Sequence, residues 1–284
     1  MGKNMISRIV SVSKLAAIKL CPYLYDTIKW NYHKRLKQDG RLVAQFIKNY
    51  DLRVLNGPFS GMRYVHFSYW GRLLPKLVGS YEEELHEIIR NIIAKGFDLI
   101  VDIGSAEGYY AIGLARACPS GYVIAFEQSP YARALFKVLA RKNGVRDRVS
   151  LLGSCTQEKL SAVLKDHSIL ISDCEGCELE LLDPERVPTL KTCTMIVELH
   201  DCYNPIISST IKDRFSHTHD VIIINESERI VKNYACLNIF KDTDKLFCVQ
   251  ERPKVQDKSG VGGKWAFMVP MNQGKKKQSI SNIS

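Results

Sequence analysis

Apolar and polar positions along this chain follow two periods. Over 81–95, Leu85, Ile88, Ile89, Ile92 and Ile93 recur at helical spacing. Ser80 precedes this stretch, Glu83 follows three residues later as in a capping box, and Gly96 closes it. Strand and helix patterns then alternate. The segment 98–104 (DLIVDIG) is nearly all apolar, as a strand covered on both faces requires. Further strands are predicted at 122–127, 148–153, 168–173, 194–200, 220–225 and 264–270. Helices are predicted at 108–117, 130–143, 156–165, 177–182 and 205–215. Repeated β-α units of this kind predict an α/β fold: an open, mostly parallel sheet with helices on both faces. Turn residues followed by alternation predict a short hairpin over 57–68. The stretch 226–263 is weakly patterned, as a lid or substrate loop often is. No internal repeat is visible.

Composition sharpens this picture at the ends of the chain. The 284 residues carry 40 Lys+Arg against 30 Asp+Glu, a formal charge of +10, with 45% apolar and 25% charged residues. Such proportions are globular and argue against disorder or fibrous repeats. The charge is uneven. Residues 1–50 hold ten Lys/Arg against two acids, and 251–284 hold seven against two, so the centre is slightly acidic. A core of that sign argues against nucleic acid as partner. The basic ends leave weak contact with an anionic membrane surface open. No uncharged apolar run of about 18 residues is present, so no spanning helix is expected. The segment 5–20 lacks a signal-peptide core; Ile6, Ile9 and Val10 share a helix face expected to pack on the core. The nine cysteines form no disulfide framework and fit a reducing, cytoplasmic compartment. Cys174 and Cys177 make one C-x-x-C with no second pair for zinc, and the acids around it would raise a thiol pKa.

In open α/β sheets, ligands bind at the carboxyl ends of the strands. The first of these strands ends in Asp102-Ile103-Gly104-Ser105-Ala106-Glu107-Gly108, a G-x-x-x-G rather than the G-x-G-x-x-G of dinucleotide sites. Glu107 would repel a pyrophosphate at the helix N-terminus, whereas Asp102 and Glu107 suit a cationic ligand such as a sulfonium with an α-ammonium group. The second strand ends in Glu127, 23 residues after Gly104, where an acid can accept both ribose hydroxyls. These signs point to a nucleoside-bearing cation.

The segment VDIGSAEGYYAIGLA resembles the first motif of class I S-adenosylmethionine-dependent methyltransferases. Asp173-Cys174-Glu175-Gly176-Cys177-Glu178-Leu179-Glu180 resembles the D-x-E-G-x-E-x-E signature of FkbM-type methyltransferases. Ile196–His200 and the Gly79–Leu85 segment are similar to that family's flanking segments. The resemblance covers about 55–270 and implies a Rossmann-like class I methyltransferase fold: a seven-stranded, mostly parallel sheet with the last strand antiparallel. It divides the chain into a basic helical N-terminal extension (1–56), a methyltransferase domain (57–271) and a basic disordered tail (272–284). It implies S-adenosylmethionine as cofactor and methyl transfer to oxygen of a small molecule or glycan. By motif position Asp102, Gly104, Ser105, Gly108 and Asp173 would line the cofactor. Glu127 would hold the ribose, Ser154 would contact adenine and Glu82 would close the methionine end.

A hydroxyl acceptor must lose its proton during attack, to a base or with help from a metal. The fourth and fifth strands deliver Asp173, Glu175, Glu198 and His200. His200 is the natural general base, with Glu198, two residues earlier on the same face, expected to orient its imidazole. Glu175 is alternatively structural, tying the turn at Gly176. A divalent metal on Asp173, Glu175 and His200 stays open as a variant, and no metal is assigned from spacing alone. His217 and His219 are expected at the surface. Two further readings remain: an RNA methyltransferase, suggested by the basic ends but lacking an N-P-P-Y-like motif, and a non-catalytic cofactor-binding adaptor. Oligomeric state is not legible.

Overall fold

A computed structural model describes residues 36–226, 234–250 and 263–271. The N-terminal face of Ile6, Ile9 and Val10 and the tail from Asn272 lie outside the described residues.

The chain enters through α1 (Leu36–Tyr50) and α2 (Leu73–Val78), then α3 (His86–Lys95). The alternating units follow as β1 (Leu99–Ile103), α4 (Tyr109–Ala117), β2 (Tyr122–Phe126), α5 (Pro130–Lys142), β3 (Val149–Leu152), α6 (Gln157–Val163), β4 (Ile169–Ser172), α7 (Glu178–Leu181), β5 (Thr194–Leu199), α8 (Ile207–Phe215) and β6 (His219–Asn225). One more helix, α9 (Asp242–Val249), precedes β7 (Lys264–Pro270). These spans match the predicted units closely, because strong apolar periodicity and tertiary burial agree there.

The strands form one seven-stranded sheet in the order β3-β2-β1-β4-β5-β7-β6. β7 pairs antiparallel with both β5 and β6, and the other pairings are parallel. This is the Rossmann-like α/β architecture expected. Side-chain alternation sends β1 Ile100, β4 Ile169 and Ile171, and β5 Ile196 to one face, under α1 to α5 and α9. Val101, Leu170, Met195 and Val197 go to the other face, under α6 to α8. Both faces are covered, which is why these strands read as unbroken apolar runs. Leu42 and Phe46 of α1, within the stretch read as an extension, are fully buried in the first of these clusters.

Three local readings are corrected. The short hairpin starts upstream of 57–68: 52–54 pairs antiparallel with 62–64 around the 57–61 turn through one isolated bridge, Arg53 to Arg63, with no full strand. The capping box at Ser80 and Glu83 does not form: a short 3-10 turn (Glu83–Leu85) precedes α3, whose N-cap is Leu85 without a side-chain bond. The preceding Glu82 takes φ 47°, breaking helical geometry where the box would sit. His219 is buried, not superficial: its ring nitrogens meet the Cys193 carbonyl and the Thr218 hydroxyl, both at 2.8 Å.

Candidate active site

The strand order reverses between β1 and β4, so the crevice at their carboxyl ends is where a ligand would sit. Register brings the ends of three strands level: Ile103 lies opposite both Phe126 and Ser172. Gly104, Glu127 and Asp173, each one residue further on, are therefore adjacent on one rim. Gly104 has φ 79°, and a Cβ there would lie 1.7 Å from the Asp173 carbonyl oxygen, so the two strand ends approach this closely only over glycine. Gly108 caps α4 at φ 96°.

The first group of predicted residues gathers around the loop after β1. Glu127 is buried and accepts the Ala106 N–H at 2.9 Å and the Ser129 N–H at 2.7 Å, one on each oxygen. Burial pushes its carboxyl pKa up, opposed by those two N–H groups. The Ser105 hydroxyl donates to the Phe126 carbonyl at 3.3 Å. Asp102 accepts the Ala111 N–H at 3.1 Å and so anchors the first turn of α4. Burial pushes its carboxyl up to about 7 despite that hydrogen bond, and Glu127 adds to the shift. Ser154 stands apart, exposed on the loop after β3, its carbonyl accepting from Lys159 Nζ at 2.8 Å.

Glu107 does not face this crevice, contrary to the reading that gave it to a cationic ligand. It points inward, where the Lys76 ammonium meets it at 2.6 Å and the Tyr64 hydroxyl, the Ser68 hydroxyl and the Tyr69 N–H donate to it. Burial alone would raise its pKa, but Lys76 and the Tyr64 hydrogen bond outweigh burial and hold the carboxyl below its usual range.

The second group surrounds His200, whose residue exposure is 4%. Nδ1 lies 2.5 Å from Glu178 Oε1. Nε2 faces Asp173 Oδ1 at 3.5 Å, Glu175 Oε2 at 3.6 Å and Glu198 Oε2 at 3.8 Å, and has no hydrogen-bond partner. Glu198 therefore does not orient the imidazole; Glu178, from α7, does. Glu178 also accepts the Gly176 N–H at 3.2 Å, the turn-tying role considered for Glu175. Glu178 was missed although it is the third acid of the D-x-E-G-x-E-x-E segment; its spacing from Asp173 was the available signal. Glu175 instead receives the Tyr203 hydroxyl at 3.0 Å, and the Tyr203 ring stacks on His200 with centroids 5.8 Å apart. Glu82 adds a further buried carboxylate, hydrogen-bonded by the Tyr110 hydroxyl.

Crowding of acids sets the electrostatics. Burial, then Glu198, pushes Glu82 up to about 7. Burial, then Glu198, Glu82 and Glu175, holds Asp173 well above its ordinary value. For His200 burial lowers the pKa, but the Glu178 hydrogen bond and the surrounding carboxylates outweigh it and the net shift is upward. Glu82, Ala106 and Glu175 hold positive φ angles of 47°, 47° and 53°. Strained backbone at non-glycine residues costs about 1–3 kcal/mol each and gathers at functional sites. The nearby Cys174 and Cys177 thiols are free, and burial together with Glu178 pushes both upward, away from thiolate chemistry.

No family model matches the sequence, and no curated protein matches it. Solved structures do resemble the fold. The O-methyltransferase TomG from Streptomyces achromogenes, in complex with SAM, is 14% identical at TM-score 0.44, covering 81% of this chain and 89% of that one. An O-methyltransferase from Bacillus cereus in complex with SAH is 14% identical at TM-score 0.42, covering 63% and 77%. An rRNA methylase from Streptococcus thermophilus is 11% identical at TM-score 0.45, covering 66% and 96%. Two are named O-methyltransferases and one an rRNA methylase, and the likeness is one of chain path alone. No helix among the described residues is long and apolar enough to cross a membrane.

Proposed function

We propose that this chain is an S-adenosylmethionine-dependent methyltransferase of the FkbM type, acting on a hydroxyl of a small molecule or glycan. The observation that carries the reading is the acid-lined rim at the sheet's switch point, with Glu127 beside the Gly104 turn and the His200 cluster two strands away. A cationic nucleoside fits that donor set. Each Glu127 oxygen keeps a lone pair for a ribose hydroxyl after its one backbone bond. The Gly104 turn and the Asp173 strand end would hold the methionine end, closed by Glu82, and Ser154 would meet the adenine. When bound, the cofactor supplies a methyl group on a sulfonium, an electrophile that needs alignment more than activation. The carboxylates and imidazole of Asp173, Glu175, Glu198 and His200 hold the acceptor hydroxyl and take its proton as oxygen attacks. Glu178 fixes the imidazole so that Nε2 faces that oxygen.

Calorimetry with S-adenosylhomocysteine tests the reading. Saturable binding is expected, and Glu127→Ala should weaken it by at least tenfold, the loss of a bidentate charge-assisted contact. Absence of binding to the folded chain would sink the cofactor assignment. Turnover of hydroxyl compounds against RNA as acceptor separates the two acceptor classes.

A further inference from the structure

We propose that Asp173, Glu175 and His200 form a divalent-cation site that binds the acceptor oxygen. The inference starts from an unpartnered atom. His200 Nε2 is buried, makes no hydrogen bond, and is aimed into a ring of carboxylate oxygens. One oxygen each of Asp173 and Glu175 and one nitrogen of His200 lie within 4.8 Å of one another. Ligand atoms about 2.1 Å from an ion stand about 3.0 Å apart at neighbouring octahedral positions and about 3.4 Å apart at tetrahedral ones. The 3.5 and 3.6 Å separations of Nε2 from Asp173 Oδ1 and Glu175 Oε2 are close to that range, and the two carboxylate oxygens lie within 4.8 Å of each other, so inward movement of the half-exposed Glu175 side chain completes the set.

The surroundings fit a metal better than a bare base. A metal-bound imidazole usually donates its other N–H to a carboxylate, which fixes the tautomer and aims the lone pair at the ion. Glu178 Oε1 at 2.5 Å from Nδ1 is such a partner, and Glu178 is itself fully buried and held by the Gly176 N–H. The Tyr203 hydroxyl steadies Glu175 in the same way. Four carboxylates, Asp173, Glu175, Glu178 and Glu198, stand around one imidazole at 2.5 to 3.8 Å, an acid-rich cage that a divalent ion fits. Two carboxylates and one imidazole suit manganese-like hard-to-borderline ions, and three protein ligands leave positions open for a hydroxyl oxygen. With the ion on the Nε2 lone pair, His200 is a ligand and no longer a base, and Glu198, outside the ligand set, takes the proton in its place. The role of the ion in activating the acceptor rests on the methyltransferase reading; the binding of the ion does not.

The test titrates Mn²⁺ alone into the chelator-treated, full-length chain, reading free Mn²⁺ by electron paramagnetic resonance. One saturable ion per chain is expected. His200→Ala and Glu175→Gln should each raise its Kd at least tenfold, Glu178→Gln should raise it by a similar factor, and Cys177→Ser should leave it unchanged. Circular dichroism melts verify that each variant folds. If His200→Ala does not, Glu175→Gln decides, because its side chain is 43% exposed and its loss leaves the core intact. No saturable Mn²⁺, or a change under twofold in the folded variants, overturns the site. S-adenosylhomocysteine calorimetry on the same samples keeps the two readings apart: lost Mn²⁺ binding with intact nucleoside binding rejects the ion alone, and the reverse rejects the methyltransferase reading.

Discussion

Lys76 and Glu107 meet at 2.6 Å with side chains 3% and 0% exposed, far from water. Such a pair is costly to assemble, and its removal as a whole is often tolerated, but breaking it leaves one charge buried alone. Glu107 is also the hub that receives Tyr64, Ser68 and the Tyr69 N–H, so it ties the 64–76 segment to the start of α4. Lys76→Met should therefore destabilise the chain by about 3–5 kcal/mol in urea unfolding, and adding Glu107→Gln should recover part of that loss. No recovery at all in the double variant, or a Lys76→Met variant costing under about 1 kcal/mol, would show the pair to be solvated. From sequence, Glu107 was legible as an acid next to a glycine turn but not as the partner of a lysine 31 positions earlier. The His200 cluster divides similarly. Its members Asp173, Glu175, Glu198 and His200 were legible at strand ends, whereas the choice of Glu178 over Glu198 as the imidazole's partner depends on α7 folding back toward β5.

At the scale of elements, the turn after β1 controls the site. Parallel strands β1 and β4 pair through Ile103 and Ser172, and the Asp173 N–H continues the ladder to the Ile103 carbonyl. That brings the Asp173 carbonyl to where any side chain at Gly104 would be. Gly104→Ala adds both a positive-φ strain and a backbone collision at 1.7 Å. Overpacking of this kind costs about 1–3 kcal/mol. The expected outcome is a lowered unfolding midpoint together with lost S-adenosylhomocysteine binding, read by calorimetry. A folded variant with wild-type affinity would mean that the turn is free to shift. The same scale explains the two misread local patterns. The hairpin signal over 57–68 and the capping box at Ser80 are short local patterns. They lost to packing of the 52–65 segment and α3 against the sheet and to the left-handed turn at Glu82.

For the molecule as a whole, charge and burial act in opposite directions at its two regions. The basic excess lies in 1–50 and beyond 250, while acids concentrate inside, at the carboxyl edge of the sheet. Stability against pH follows. The folded pKa of Asp102, about 7, lies above its ordinary value of 3.8 because burial disfavours the charged form. The folded state thus holds a proton that the unfolded state has released, so this contribution is present below about pH 4 and is lost as pH rises toward 7. Urea midpoints of the wild-type chain should fall between pH 5 and 8, and Asp102→Asn should flatten that slope. An equal slope in both would remove Asp102 from the pH response.

The amino-acid sequence by itself determined the alternating β-α order, the strands to within a residue or two, and which acids stand at strand ends. It did so because apolar periodicity and glycine positions are local properties. The tertiary structure alone decided the partners. Strand order set Gly104, Glu127 and Asp173 side by side; chain reversal turned Glu107 inward to Lys76; and α7 laid Glu178 against His200. Those pairings join residues 22 to 69 positions apart, with energies that depend on burial and mutual distance, and neither quantity is carried by local pattern.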